Sequence, residues 1–482
     1  MKSIKHHLVA ALCGGMCLLI SGCINQTEEV NHYRAITHAY PQPLPRKVPA
    51  VLTLATALKM ANDNNESLAI AGENYLQALI AKDRAFANFF PTVGLAPTDY
   101  QRQGFNEATF PHGFGQFFQT HYFDAPIAAQ LNVNVLRDSM AISAAGSFTG
   151  EQKSLLLNLQ SSLLLETAQT YYAVLSASRA TRVLMQTLHV QHATVASELR
   201  KEKAGIALRL TVLQDQADTA RTQVQLTNAQ NQVQRGRATL AFLIGVNSLG
   251  HARLENLFQP PSHIPSLPKI YRIALLHRQD FRADADAVVV AKKRVTAAIA
   301  EYFPTVSINF DTFLYKESFP SDSWWNGLFT VNIPIFEGGM IYNDIRKAYS
   351  QLRQALLEQE MLRRKIREQV RIALSDWQTS SELVADARTE MQATRAAFDQ
   401  AGHSFNAGLT TNLDVITAQD QYLAANLTYQ QARYTKCIDM LNLLRQCGRL
   451  TYATISHLAT HAPAPVADRH RPAPNKTTKV VD

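Results

Sequence analysis

The sequence is poor in the residues that several protein classes are built from. Five of its 482 residues are cysteine, 8% are aromatic and 18% are charged. That excludes a disulfide-stapled miniprotein and an acidic disordered chain. The 20 glycines and 19 prolines are too few for a collagen-like or linker-dominated chain. Lysine and arginine (47) exceed aspartate and glutamate (39) by 8. Lys2 and Lys5 lie in a segment expected to be removed, which leaves about +6 and no argument for nucleic-acid binding. After Cys23 no stretch has the ~20 apolar residues that a transmembrane helix requires, so only a β-barrel would cross a bilayer. The length admits roughly three domains.

What is present begins at the N-terminus. Lys2, Lys5, His6 and His7 make a basic end, and residues 8–20 an apolar core too short for a membrane span. The core ends in Ile20-Ser21-Gly22-Cys23, which resembles the bacterial lipobox. The expectation is signal cleavage between Gly22 and Cys23, and covalent lipid on Cys23 as S-diacylglycerol and N-palmitoyl groups. By resemblance to enteric lipoproteins, Ile24 in place of aspartate directs the product to the outer membrane. Cys13 and Cys17 leave with the signal. Cys437 and Cys447 remain; on one continuous helix they stand ~15 Å apart, beyond disulfide reach, and read as packing residues.

The prolines expose the plan of the chain. All of them fall within 41–49, 91–126, 260–334 and 463–474, leaving proline-free runs at 127–259 and 335–462. Proline costs ~3 kcal/mol inside a helix, so such runs are what long helices need. Leu155, Leu159, Leu163, Ala168 and Tyr172 give helical spacing in the first run; Leu352, Leu356, Met361, Lys365 and Val370 partly match in the second. The two runs also match each other. Lys203-Ala204-Gly205-Ile206 faces Asn406-Ala407-Gly408-Leu409, and at the same offset Leu210, Val212, Gln216, Leu240 and Gly245 face Leu413, Val415, Gln419, Leu443 and Gly448. Upstream, Phe89-Phe90-Pro91-Thr92-Val93 returns as Tyr302-Phe303-Pro304-Thr305-Val306. The unit reads helix, strand, strand, very long helix, glycine turn, long helix, and it occurs twice. The expected helices are 54–88, 140–203 (roughly 96 Å), 210–243, 270–302, 340–405 and 413–444.

The expected strands are about 91–99, 127–136, 304–315 and 325–336. Leu131, Val133 and Val135 alternate with Asn132 and Asn134; Val306, Ile308 and Phe310 with Ser307, Asn309 and Asp311; Phe329, Val331, Ile333 and Ile335 with Thr330 and Asn332. Period-two alternation with small polar residues fits lipid on one face and water on the other, and equally a half-buried soluble sheet. The lack of any spanning helix favours the barrel. Four strands cannot close one; four from each of three chains make twelve. Trp324 and Trp325 suit an interfacial belt. The organisation is thus a signal peptide (1–22), a lipidated extension (23–51), a first repeat (52–248), a proline-rich linker (249–268), a second repeat (269–450) and a tail (451–482) whose Pro/Ala-rich composition predicts disorder.

These residues resemble the TolC-type outer-membrane efflux family, in its lipoprotein branch serving tripartite pumps, over about 52–450. The carriers are the two Phe-Pro-Thr-Val entries, Arg278-Gln279-Asp280-Phe281-Arg282, Ile335-Phe336-Glu337-Gly338-Gly339, and Ala407-Gly408-Leu409 with Leu413-Asp414-Val415-Ile416. The resemblance implies a mainly α fold with a small membrane β-barrel: a homotrimer with a twelve-strand barrel and a long α-helical periplasmic tunnel. It implies a passive duct that docks a periplasmic adaptor and an inner-membrane transporter of the RND type, which chooses the cargo. Gly205 and Gly408 become the periplasmic hairpin tips. Asp414 becomes a gate residue, facing its symmetry mates across the tunnel axis in a three-carboxylate ring, with Thr211 at its place in the first repeat; the alternative is a cap-like acid in the first turn of a helix, favoured by the helix dipole. Phe405 and Thr410 stand where the family's best-known member has a locking tyrosine and arginine.

The chain departs from the family at Leu136-Arg137-Asp138-Ser139, which lacks paired glycines, at Cys447-Gly448, and in the aromatic segment 97–126. No catalytic or metal site is predicted. His189 and His192 have no third ligand at metal spacing, and Asp280, Asp284 and Asp286 lack a calcium loop's glycine and glutamate. No phosphate-binding Gly-Lys-Ser/Thr element occurs, and no cofactor beyond the lipid is expected. His457, His461 and His470 lie in the tail. The alternatives are a lipid-anchored coiled-coil structural protein, which leaves the strands unexplained, and a periplasmic enzyme, for which there is no site.

Overall fold

The computed structural model describes residues 25–39, 48–102, 119, 121–255 and 264–452. The chain divides into two units: residues 1–43, 66–160 and 277–367 form the first; 44–65, 161–276 and 368–482 the second. In order, the elements are α1 (Gln26–Thr37), β1 (Val51–Thr53), α2 (Leu54–Asn64), α3 (Glu66–Ala87), β2 (Thr92–Leu95), β3 (Thr98–Gln101), β4 (His121–Val133), α4 (Val135–Lys203), α5 (Arg209–Leu243), β5 (Arg253–Glu255), α6 (Leu267–His277), α7 (Gln279–Ala300), β6 (Thr305–Lys316), β7 (Trp325–Asn332), α8 (Met340–Asn406) and α9 (Asn412–Gln446). No described helix is long and apolar enough to cross a membrane.

In the shorter helices the duplication holds to the residue. Each repeat has an 11-residue helix, a one-residue break and a 22-residue helix, and each ends in a helix of 35 residues. The long helices have 69 and 67 residues, about 100 Å each. The upstream helices were expected unbroken over 54–88 and 270–302. Both break, at Asn65 and Arg278, which are extended (ψ 123° and 127°). Tertiary contacts hold the break at Asn65, whose side chain donates to the Leu243 carbonyl at 3.1 Å. Arg278 is buried and pairs with Asp280 (Nε to Oδ1 3.0 Å).

In the first unit the sheet runs β2–β4–β6–β7, with β3 also on β4, so β2 and β3 make one interrupted path. All pairings are antiparallel. The register lines up Leu131, Ile308 and Phe329, and next to them Val133, Val306 and Val331. The intervening residues, Asn132, Ser307 and Thr330, line up likewise on the other face. On the apolar face Ile308, Phe310, Phe329 and Val331 are all exposed. Trp325 stacks on Phe310 with centroids 5.9 Å apart. Among the described residues β7 pairs only with β6, and β2 and β3 only with β4, so both sheet edges are open there.

Strand bounds differ from the expected ones for local reasons. β4 starts six residues earlier than 127, inside the segment read as an aromatic loop; of that segment, 103–118 lies outside the described residues. The second strand of the second repeat stops at Asn332, because Pro334 donates no N–H and Gly338 and Gly339 turn the chain at φ 61° and 84°. In the first repeat Asn134 does the work of those glycines. Its Oδ1 accepts from Arg137 N–H (3.1 Å), Asp138 accepts its N–H (2.9 Å), and its Nδ2 donates to the Ala300 and Phe303 carbonyls. The helix therefore begins at Val135, not Met140.

α1, in the stretch read only as a lipidated extension, packs on α3. A Cβ on Gly72 would lie 2.2 Å from the Tyr33 ring, so glycine alone admits that ring. In the second unit, β5 lies within the stretch read as a linker and pairs in parallel with β1. The Tyr171 hydroxyl pins both strands, donating to the Leu52 carbonyl (2.7 Å) and accepting from Glu255 N–H (3.1 Å). The helical period of the long helices is as expected, and Leu163, Ala168, Tyr172 and Val370 of the expected series are buried. Leu156, Leu163, Leu164, Tyr171 and Leu175 are buried while Leu155 is exposed. In α8 the buried row is Ile366, Val370 and Ala373. Cys437 and Cys447 are buried and, among the described residues, form no disulfide.

Candidate functional site

The two glycine turns lie in the second unit, where long helices end. Gly205 and Gly408 take φ of 76° and 73°. Each ends its helix with a Schellman pattern: Ile206 N–H donates to the Lys201 carbonyl (2.8 Å) and Leu409 N–H to that of Ser404 (2.9 Å). Arg200, Lys201 and Lys203 in the last turn of α4 suit the negative end of its dipole. The turns are apolar and open. Ile206, Leu208 and Leu210 on the first, and Leu409 and Leu413 on the second, are 57–78% exposed.

The second turn starts its returning helix with a capping box. Thr411 accepts from Asp414 N–H, and Asp414 Oδ2 accepts the Thr411 N–H (2.9 Å) and hydroxyl (2.7 Å). These bonds hold the Asp414 carboxyl below the usual range, and the side chain is fully exposed. Phe405 is half-buried, with Lys201 Nζ 5.9 Å from its ring centroid; Thr410 is exposed. The equivalent turn of the first repeat, at Leu208, has no side-chain cap. Gly22 and Cys23 lie outside the described residues, as does the tail beyond 452.

Behind the turns is a layer that sequence reasoning missed. Farther from them, Leu184, Leu188, Leu226, Ala229 and Leu423 pack as an apolar cluster of α4, α5 and α9. Towards the turns the same three helices bury polar groups. Asn412 Nδ2 donates to Asp215 (2.8 Å), and Gln191 Nε2 to Asp218 (2.5 Å). Arg221 bridges Asp420 (2.9 Å) and Asp218 (3.6 Å), tying the returning helix of one hairpin to that of the other. Glu198 is buried beside them with Lys201 at 2.6 Å. Desolvation raises the pKa of Asp215; desolvation and the neighbouring Asp420 push Asp218 up to about 6. Asp215 Oδ2 and Asp218 Oδ1 are buried without a hydrogen bond among the described residues. The signal was in the sequence: Asp215, Asp218 and Arg221 recur every third residue, one charged row on one helix face. Which acids share a layer with Asp420 depends on packing.

A sequence model of the family described as "Outer membrane efflux protein" matches residues 270–449. The chain is similar to the outer membrane efflux protein BepC of Brucella suis, at 25% identity over 319 residues, 64% of this chain and 68% of that one. It is also similar to the cation efflux system protein CusC of Escherichia coli, at 22% identity over 242 residues, 48% of this chain and 50% of that one. Among solved structures, the outer-membrane channel OprN matches with a TM-score of 0.70 and 20% identity, over 86% of this chain and 95% of its own. The CmeC outer membrane channel of Campylobacter jejuni matches with a TM-score of 0.72 and 16% identity, over 83% and 86%.

Proposed function

We infer, from the match to the outer membrane efflux family over residues 270–449 and the shared fold, that the chain is of the TolC type and is the outer-membrane channel of a tripartite export system. Its partners in such a system are a periplasmic adaptor and an inner-membrane transporter. The finer reading is a homotrimer working with an RND-type transporter and carrying cargo passively, without covalent chemistry. One observation carries it: a sheet with an exposed apolar face and two open edges, in a chain whose two longest helices each exceed 65 residues. An open sheet edge exposes unpaired backbone, which no bilayer tolerates. Three copies of four strand paths close a twelve-strand barrel and remove every edge. A coiled-coil scaffold has no use for that sheet.

The exposed turns at Gly205 and Gly408 are proposed to meet the adaptor, and Asp414, Phe405 and Thr410 to line the narrow end. Cys23 is proposed to carry the lipid. Purified protein in planar bilayers is expected to give stepwise channel currents and to migrate as a heat-resistant trimer. Crosslinkers at Ala204 or Ala407 are expected to capture the adaptor. A folded protein without conductance, or capture only from the loop at 317–324, would refute the reading.

A further inference from the structure

In the second unit, well before the hairpin ends, a cavity of about 450 Å³ opens between α4, α5, α9 and β5. Five arginines line it: Arg179 and Arg182 from α4, Arg237 from α5, Arg253 from β5 and Arg433 from α9. Its lining has one acid, Glu255, so five guanidiniums against one carboxylate leave a formal charge of +4. Arg182 precedes Lys203, the last residue of α4, by 21 residues, roughly 32 Å of helix.

Of the five, Arg237 is fixed by hydrogen bonds, while Arg179, Arg182, Arg253 and Arg433 are exposed at the cavity mouth. Arg237 donates to two neutral groups, the carbonyls of Ala252 (3.1 Å) and Gly250 (2.9 Å), which fixes its plane. Those same bonds hold the turn that leads into β5, and Tyr171 holds Glu255 from the other side. Arg253 approaches Glu255 only to 3.7 Å, with its own side chain 75% exposed. Arg433 stacks over Tyr429 at 5.8 Å. Arg179 and Arg182 stand one turn apart on one face of α4 and have no ion pair among the described residues.

Local contacts account for Arg237, Arg253 and Arg433, but they give no reason for Arg179 and Arg182 to face the same cavity, since like charges repel. A ligand does. The guanidinium fork matches carboxylate and phosphate oxygens in pairs, and the volume is that of a small-molecule site. We propose that this cavity binds a polyvalent oxyanion, a group carrying two or more carboxylates or phosphates. Its source is either a free small anion or the carboxylates of the cell-wall polymer.

The test uses the full chain purified in detergent. Pyrophosphate and citrate are titrated by calorimetry at low salt, with chloride and acetate as monovalent controls. Saturable binding of at least one polyanion is expected, weakened by added salt. The double variant Arg179→Ala/Arg182→Ala is expected to bind at least tenfold more weakly, with helix content and ligand-free melting unchanged. Lysine at both positions is expected to give an intermediate affinity, because the charge stays while the fork is lost. In a second arm, purified cell-wall sacculi are sedimented with the protein. Co-sedimentation that citrate competes and the alanine variant loses assigns the polymer; calorimetric binding without it assigns the free anion. The proposal is overturned by no saturable binding in either arm, or by an affinity unchanged in the alanine variant. It is also overturned if the alanine variant only weakens the oligomer while the parent binds no polyanion, which would give the cavity to contacts between copies.

Discussion

Asp414 caps α9 whatever else it meets. Its carboxyl is held below the usual range by Thr411, so the box contributes stability above the ordinary aspartate pKa and loses it as pH falls through the lowered folded value. A ring of three such carboxylates would push the other way, raising one another's pKa and attracting cations. Two substitutions separate these roles. Asp414→Ala is expected to raise single-channel conductance and weaken cation selectivity. Thr411→Ala is expected to weaken the helix start by about 1 kcal/mol while the current stays at the parent value. Equal currents from both variants would leave Asp414 a cap alone. Asp218 carries the opposite pH signature. With a folded pKa of about 6, it contributes stability fully below the ordinary aspartate value, and that contribution is lost as pH rises through about 6. Asp218→Asn is expected to melt higher than the parent at pH 7.5, with the gap closing towards pH 5; a gap that does not vary with pH would contradict this burial.

Among the elements, the hairpin turns depend most on a single residue type. A β-carbon at Gly205 or Gly408 would have nothing within 4 Å, so substitution there costs backbone strain and no clash. The left-handed conformation costs a non-glycine residue about 1–2 kcal/mol, and asparagine less than most. Gly205→Ala and Gly408→Ala are expected to unfold at lower denaturant than the parent, with the asparagine variants between. Alanine variants as stable as the parent would mean that the turns tolerate another conformation. The turns were legible because glycine followed by a fresh apolar series is a local signal, repeated twice. The one-residue breaks at Asn65 and Arg278 were not, because the contacts that hold Asn65 extended reach to Leu243, 178 residues away. The expected stripe of α4 is buried at Leu163, Ala168 and Tyr172 and departs at Leu155, because Leu155, Leu156 and Leu157 offer three adjacent faces and only the neighbouring helices choose between them.

For the whole molecule, the lipid and the sheet are two separate proposed anchors. Cys23→Ala is expected to abolish labelling by a fatty-acid probe and to leave uncleaved precursor. Some channel assembly is expected to survive, because the sheet carries its own apolar face. Labelling that persists in the variant would exclude Cys23 as the modified residue. The lipid itself would bind a membrane only reversibly if one chain acted alone, so loss of both anchors should cost far more than loss of either.

By itself the sequence determined the duplication, the helix–strand–strand–helix order, the glycine turns and the alternation of the strands. Each of these is a local or repeated pattern, written in spacing and in the few residues that tolerate a given backbone. The tertiary structure decided the rest. It joined β1 to β5 across about 200 residues, gave Asn134 the task that Gly338 and Gly339 perform in the other repeat, and gathered Asp215, Asp218, Arg221 and Asp420 in one buried layer. It also drew five arginines from three helices and a strand to one cavity. Charges far apart in sequence carry no mark of their partners, and the pairing is set only when the helices choose which faces to bury.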